Sequence, residues 1–118
     1  MKIAMAIASA ARLASCAATP GAAPAVLSEL APGGMLRAAI HFGNPTLAVR
    51  DPVSGAPRGV SVDLSRELGR RLGVSVELVT FDAAGKVLQA LQSKAVDIGF
   101  VAIDPARAID VAYSAPTW

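Results

Sequence analysis

The sequence predicts an α/β domain, with a three-stranded, mainly parallel sheet and flanking helices. Three observations predict it. Short apolar runs alternate with segments of helical period, in the order strand, helix, strand, helix, strand. The last run, Ile98 to Ile103, is continuous and partly β-branched, which suits a strand buried on both faces of a parallel sheet. It stops at Asp104-Pro105, a helix-start pair in which Asp caps free N–H groups and Pro takes the first helical position.

Each element has its own signal. Residues 35–42 (MLRAAIHF) form the first strand, ended by Gly43-Asn44-Pro45. Gly and Asn tolerate left-handed backbone, and Pro cannot join a central ladder. The loop 46–59 carries Asp51-Pro52 and Ser54-Gly55, turn pairs that predict a small hairpin. Residues 61–72 form an amphipathic helix whose buried face is Leu64, Leu68 and Leu72, with Arg66, Glu67, Arg70 and Arg71 mostly around the other side. Glu67 and Arg71 stand four apart and can pair, worth a few tenths of a kcal/mol. Gly69 costs about 1 kcal/mol against Ala in a helix, which close packing would explain. Gly73 takes the usual position just past the helix.

Val74, Val76 and Leu78 then face one way and Ser75 and Glu77 the other, the pattern of a half-covered strand near a sheet edge. Asp82 caps a second helix over 83–95, with Ala84, Val87, Leu88, Leu91 and Ala95 as its buried stripe. Right-handed crossovers favour a parallel sheet. With the first strand in the middle, the chain leaves it in one direction and returns on its other side. A switch-point crevice then opens beyond the carboxyl ends of the first and third strands. Its walls are Phe42-Gly43-Asn44 and residues 102–107, and Arg107 is a fixed cation at that corner.

Composition narrows the function. The chain has 118 residues, enough for one small domain or part of a larger one. Its net charge is only +2, and the basic residues are scattered without interleaved aromatics, which argues against nucleic acid. No stretch reaches the roughly 18 apolar residues of a membrane span. His41 stands alone, without a second ligand at metal spacing, so a structural role is expected for it. Asp63 and Glu67 share a helix face without a cleft, and nothing resembles a nucleophile elbow or a phosphate loop. No metal, cofactor or catalytic set is expected.

The first residues differ from the rest. Lys2 precedes an apolar core over 3–11 of signal-peptide size, interrupted by Arg12. Leu13-Ala14-Ser15-Cys16 resembles a bacterial lipobox, in which the chain is cut before the Cys and the Cys carries the lipid anchor. The alternatives are an ordinary cleaved signal peptide, with Cys16 discarded, or no export. Cys16 is the sole cysteine, so no internal disulfide can form. The organisation expected is a signal peptide of lipoprotein type over 1–18, a flexible tether over 19–33 with one helical turn at 26–30, and a folded lobe over 34–118.

Several short pieces in order, Gly34-Met35-Leu36-Arg37, Gly59-Val60-Ser61-Val62-Asp63-Leu64, Arg71-Leu72-Gly73-Val74, Val96-Asp97-Ile98-Gly99, Ala106-Arg107-Ala108 and Tyr113-Ser114-Ala115-Pro116, resemble the solute-binding protein family 3. These are the amino-acid-type periplasmic binding proteins of ABC importers. The resemblance implies a periplasmic-binding-protein-like (type II) fold, of which this chain holds a partial first lobe, truncated before the second. It implies that the ligand is a small polar, amino-acid-like solute and the partner an ABC permease in the inner membrane. The chain itself would be periplasmic, touching the membrane only through a lipid on Cys16.

Arg107 matches the family arginine that grips the ligand's α-carboxylate, a sensible role for a guanidinium, which binds a carboxylate through two parallel N–H···O bonds. Phe42, Asn44, Ala102 and Asp104 complete the expected ligand-binding set. One departure stands out: where the family places a Ser or Thr shortly before the arginine, this chain has Ala102 and Asp104. Asp104 would repel an anionic ligand, pair with Arg107, or bind a ligand ammonium group. The resemblance thus points to a binding protein that does no chemistry. The alternatives are an enzyme on the same scaffold (a dehydratase or a domain linked to a lytic transglycosylase), a sensor domain, or a truncated product without function.

Overall fold

The computed structural model describes residues 22–108 and 110–116. The α/β expectation holds. β1 (Met35–His41) lies at the centre of a three-stranded sheet, with β4 (Ser75–Phe81) on one side and β5 (Ile98–Gly99) on the other, both parallel to it. β1 is buried from Leu36 to His41 except for Arg37, as a central strand of small and aliphatic residues should be. α2 (Val60–Leu72) covers one face of the sheet and α3 (Ala84–Gln92) the other. The α2 side packs Ile40, Ala48 and Val62 with Phe42, Leu78 and Phe100. The α3 side packs Ala39, Val87, Ala90 and Val96 with Val79, Phe81, Leu91 and Val101.

The hairpin expected between β1 and α2 is present as β2 (Val49–Arg50) and β3 (Pro57–Arg58), paired antiparallel. It is tied to α2 through Leu47, whose carbonyl accepts both the N–H and the hydroxyl of Ser61. The chain enters α2 at Gly59 with φ 131°, where a Cβ would stand 2.7 Å from that same carbonyl, so only glycine fits. α2 ends at Gly73 in the left-handed conformation, as expected. α1 (Pro24–Leu30) begins on a proline at its first turn and contributes no buried residue.

Four expectations about the elements need correction. The buried face of α2 is Ser61, Val62, Ser65 and Gly69, and Leu64 remains 41% exposed. The small residues win because they let the helix sit close to the sheet: a Cβ on Gly69 would run into the Val76 side chain. Ser65 is buried at little cost because its hydroxyl donates to the Ser61 carbonyl at 2.7 Å. The leucines are left along the edge of that contact.

Asp82 does not cap α3; Ala83 is the N-cap, and the exposed Asp82 carboxylate pairs with Lys86 at 3.3 Å. α3 is also shorter than its periodicity suggests. It stops at Gln92, Lys94 turns left-handed at φ 60°, and Ala95 is exposed. Finally, the run from Ile98 to Ile103 is not buried on both faces. β5 pairs with β1 over two residues only, and Ile103 is 46% exposed. Phe100 and Val101 pack toward opposite faces, but among the described residues β5 has one neighbouring strand, so its outer edge is uncovered.

What holds so short a pairing is a fork at its start. The Asp97 carboxylate accepts the Arg37 backbone N–H at 2.9 Å and two guanidinium bonds at 3.0 and 3.1 Å. The Asp97 N–H donates in turn to the Arg37 carbonyl, and the guanidinium also reaches the Lys94 carbonyl at 2.9 Å. Burial pushes the Asp97 pKa up, but the Arg37 side-chain bond, its backbone N–H and its charge together outweigh that and hold it below the ordinary value. On the outer face of α2, Glu67 accepts from both Arg70 and Arg71, and these bonds hold its carboxyl down to about 2.

Two predictions follow from this packing. Asp97→Ala should cost about 2–3 kcal/mol, less than a fully buried pair because Arg37 is a third exposed. A carboxyl depressed in the folded state stabilises above its unfolded pKa of about 3.9 and stops doing so as pH falls through the folded value. Urea titrations between pH 7 and pH 2 should therefore show a shallower acid loss for Asp97→Asn than for the native chain. Gly69→Ala gains about 1 kcal/mol of helix propensity but should lose more to overpacking against Val76. The net loss should disappear, and become a gain, in a Val76→Ala background, as a double-mutant cycle would show.

Candidate functional site at the switch point

The first strand does lie in the middle, so the chain leaves β1 toward β4 on one side and returns to β5 on the other. Phe42 to Asn44 and the segment after Gly99 therefore leave adjacent strands at the same end of the sheet, where open parallel sheets hold ligands. His41 ties the two walls together. It is 6% exposed, and its Nε2 lies 3.1 Å from the Phe100 carbonyl. A carbonyl only accepts, so Nε2 carries a hydrogen and donates. Among the described residues the buried Nδ1 has no hydrogen-bond partner, and a Cβ on Gly43 would stand 3.3 Å from it. His41 is thus a structural tie, as its isolation in the sequence suggested.

On the β1 wall, the Phe42 N–H donates to the Phe81 carbonyl at 3.1 Å, and the half-buried ring joins Phe100 over Ile40, Ala48 and Val62. Arg50, on β2, lies across this ring with its guanidinium carbon 4.4 Å from the centroid, and donates to the Gly55 carbonyl at 3.1 Å. Asn44 is exposed and builds the turn. Its Oδ1 accepts the Thr46 N–H at 3.0 Å, and its carbonyl accepts from Leu47 and Ala48. The hairpin's own carboxylate, Asp51, is spoken for. Its bonds from the Ser54 and Val53 N–H groups, with Arg58 nearby, hold its pKa below the usual range.

On the other wall, Ala102 is exposed, and Asp104 and Arg107 meet at a single 3₁₀ turn, Pro105–Arg107. The expected cap is present: Asp104 Oδ1 accepts the Ala106 N–H at 3.0 Å, with Pro105 at the first position. Asp104 Oδ2 also lies 3.4 Å from Arg107 Nε, with both side chains about half exposed (42% and 50%). Such a pair is weak in water and readily opened, so the guanidinium remains available to a better partner. Asp110 pairs instead with Gln92 at 3.2 Å. Cys16 lies outside the described residues.

The structure places Phe42 and Asn44 just beyond the carboxyl end of β1, and Ala102, Asp104 and Arg107 on the segment that follows β5, which Asp110 ties to Gln92 at the end of α3. It adds Arg50, which the sequence does not single out: a two-residue strand in a loop carries no periodicity to reveal what its side chain covers. Among the described residues no group of three or more His, Cys, Asp or Glu side chains stands together as a metal site would require.

The same fold recurs in solved structures of type II periplasmic binding proteins. Domain 1 of the arginine-binding protein of T. maritima, a point mutant in its arginine-bound form, is 29% identical with a TM-score of 0.68, over 78% of this chain and 71% of that one. An ancestral cyclohexadienyl dehydratase is 29% identical with a TM-score of 0.67, over 78% of this chain and 38% of that one. A Wolinella succinogenes protein described as an ABC-transporter binding component, complexed with lysine, is 27% identical with a TM-score of 0.61, over 68% of this chain and 34% of that one. The chain thus spans well under half the length of the last two. No curated protein sequence matches it. A sequence profile does, over residues 36–118, which takes in all of the three-stranded sheet but Met35, both helices that flank it and the Arg107 turn; the chain belongs to the bacterial extracellular solute-binding proteins, family 3.

Proposed function

We propose that this chain captures an amino-acid-like solute at the crevice between Phe42-Gly43-Asn44 and residues 102–107, as the substrate-binding component of an ABC importer. The observation that carries the reading is Arg107 itself, a half-exposed guanidinium on the segment that follows β5, held by no more than a weak contact with Asp104. Arg107 grips the ligand's α-carboxylate through paired N–H···O bonds, in exchange for its weak contact with Asp104. Asp104, released from that contact, takes the α-ammonium group. Phe42 and Ala102 supply apolar wall, and Asn44 adds its amide at the rim.

The arginine-bound state of the isolated T. maritima domain supports a ligand site on one lobe alone. The lysine complex from Wolinella supports both the ligand class and the transport setting. In this reading residues 1–18 export the chain, Cys16 carries a lipid on the periplasmic side of the membrane, residues 19–33 form the tether, and an ABC permease receives the solute. Catalysis has no part in it.

The dehydratase neighbour favours a second reading, loss of water from a bound acid. That chemistry needs a proton delivered to the departing hydroxyl. Asp104 is the one carboxyl at the crevice among the residues named above, and it is already engaged as cap and ion-pair partner. Binding therefore remains the better account.

Calorimetric titration of the chain with a panel of amino acids should give a ligand whose affinity falls about tenfold to a hundredfold in Arg107→Ala, the range for losing charged hydrogen bonds. Arg107→Lys should recover part of it. Unchanged affinity in Arg107→Ala would overturn the assigned grip.

A further inference from the structure

We propose that Gln92 and Asp110 are positioning residues for Arg107, their hydrogen bond being the clasp that fixes the arginine's turn to the end of α3. The inference rests on the reading above, in which Arg107 grips the ligand's carboxylate, and says what holds that grip in place. Gln92 Nε2 lies 3.2 Å from Asp110 Oδ2. A carboxylate only accepts, so the amide N–H donates.

The two partners are placed for this. Gln92 is the last residue of α3, and that end of the helix is well held. Val87, Leu88 and Ala90 are buried, and the Lys94 carbonyl just beyond accepts from the Arg37 guanidinium at 2.9 Å. Asp110 is bonded directly to Arg107, whose carbonyl accepts the Asp110 N–H at 3.1 Å and the Val111 N–H at 3.2 Å. The Arg107 N–H in turn donates to the Asp104 carbonyl at 3.0 Å. Arg107 thus sits inside a run of turns whose far end is the residue that Gln92 holds.

No other polar contact supplies this tie. Among the described residues, every other hydrogen bond and ion pair of residues 102–116 has its partner within the same segment. The 3₁₀ turn that carries Arg107 has three residues and none of them is buried. A turn so short holds its own geometry poorly. A guanidinium grips a carboxylate through paired N–H···O bonds only when both are aimed. A clasp to a packed helix removes the turn's freedom before the ligand arrives, so less is lost on binding.

The test titrates L-arginine, L-lysine and L-glutamine into native chain, Gln92→Glu, Gln92→Lys, Arg107→Ala and the double variant of Gln92→Glu with Arg107→Ala. Gln92 is exposed, and thermal melts of its variants should match the native curve. Gln92→Glu sets a carboxylate against Asp110 and should lose about tenfold for the amino acid that native chain binds. Exchange of the Arg107, Asp110 and Val111 amides should rise with it, while that of the β1 amides stays unchanged. Gln92→Lys offers Asp110 an attractive partner again and should stay within about threefold of native affinity. With Arg107→Ala already present, Gln92→Glu should change affinity by less than about twofold, because its effect runs through the arginine. A merely structural residue would lose the same factor in both backgrounds. Native affinity in Gln92→Glu, a Gln92→Lys as weak as Gln92→Glu, or equal losses with and without Arg107 overturns this inference. The amino-acid reading then stands if Arg107→Ala alone weakens binding. A cooperatively melting native chain that binds none of the three overturns both.

Discussion

Two residues of parallel ladder are too few to hold a strand, yet the position of β5 decides where one wall of the crevice begins. The Arg37–Asp97 fork resolves this. One carboxylate takes a backbone N–H and two guanidinium bonds from β1, and the same two residues exchange a backbone bond in the other direction. The guanidinium also reaches the Lys94 carbonyl, at the left-handed turn where the chain comes off α3. The end of α3, the start of β5 and the centre of the sheet are thus joined at one point. A second tie, from His41 to the Phe100 carbonyl, repeats the connection at the opposite end of the same strand pair.

These two ends divide the labour. At the amino end the charges are paired, bonded to backbone and partly buried, an arrangement that holds structure. At the carboxyl end they are half exposed, one in a loose pair and one resting on a ring. Loose pairing would be a defect in a core. At the surface it leaves cations and a carboxylate solvated, in contacts weak enough to be exchanged for better-matched ones.

Much of this was legible in the sequence, for reasons that differ by element. The order of elements, the edge character of β4, the Gly73 stop and the Asp104 cap all rest on local pattern, and local pattern is what a sequence displays. Gly69 was readable as a packing glycine because no local preference explains a glycine there. The misread features depend on what lies opposite. Leu64, Leu68 and Leu72 announce a helix correctly but not its inward face, which is chosen by how near the sheet can come: Ser61, Ser65 and Gly69 allow the shorter distance. Ile98 to Ile103 is apolar enough for burial, but only a neighbouring strand could cover its far side. Arg37, Asp97 and Arg50 matter through partners 60 and 8 residues away, at separations no periodicity encodes.

The central position of β1 has a consequence for how the chain comes to be folded. Its most thoroughly buried strand is among the first parts synthesised, yet its partners arrive far later, and the closing contact spans 60 residues. Such distant pairings must be paid for in loop entropy before they return anything, and domains built on them fold slowly. Ile40 therefore stays uncovered until α2, β4 and the last strand have all appeared. Stopping synthesis before Asp97 would leave the sheet's core strand open to any other chain, while a few residues more would shut it.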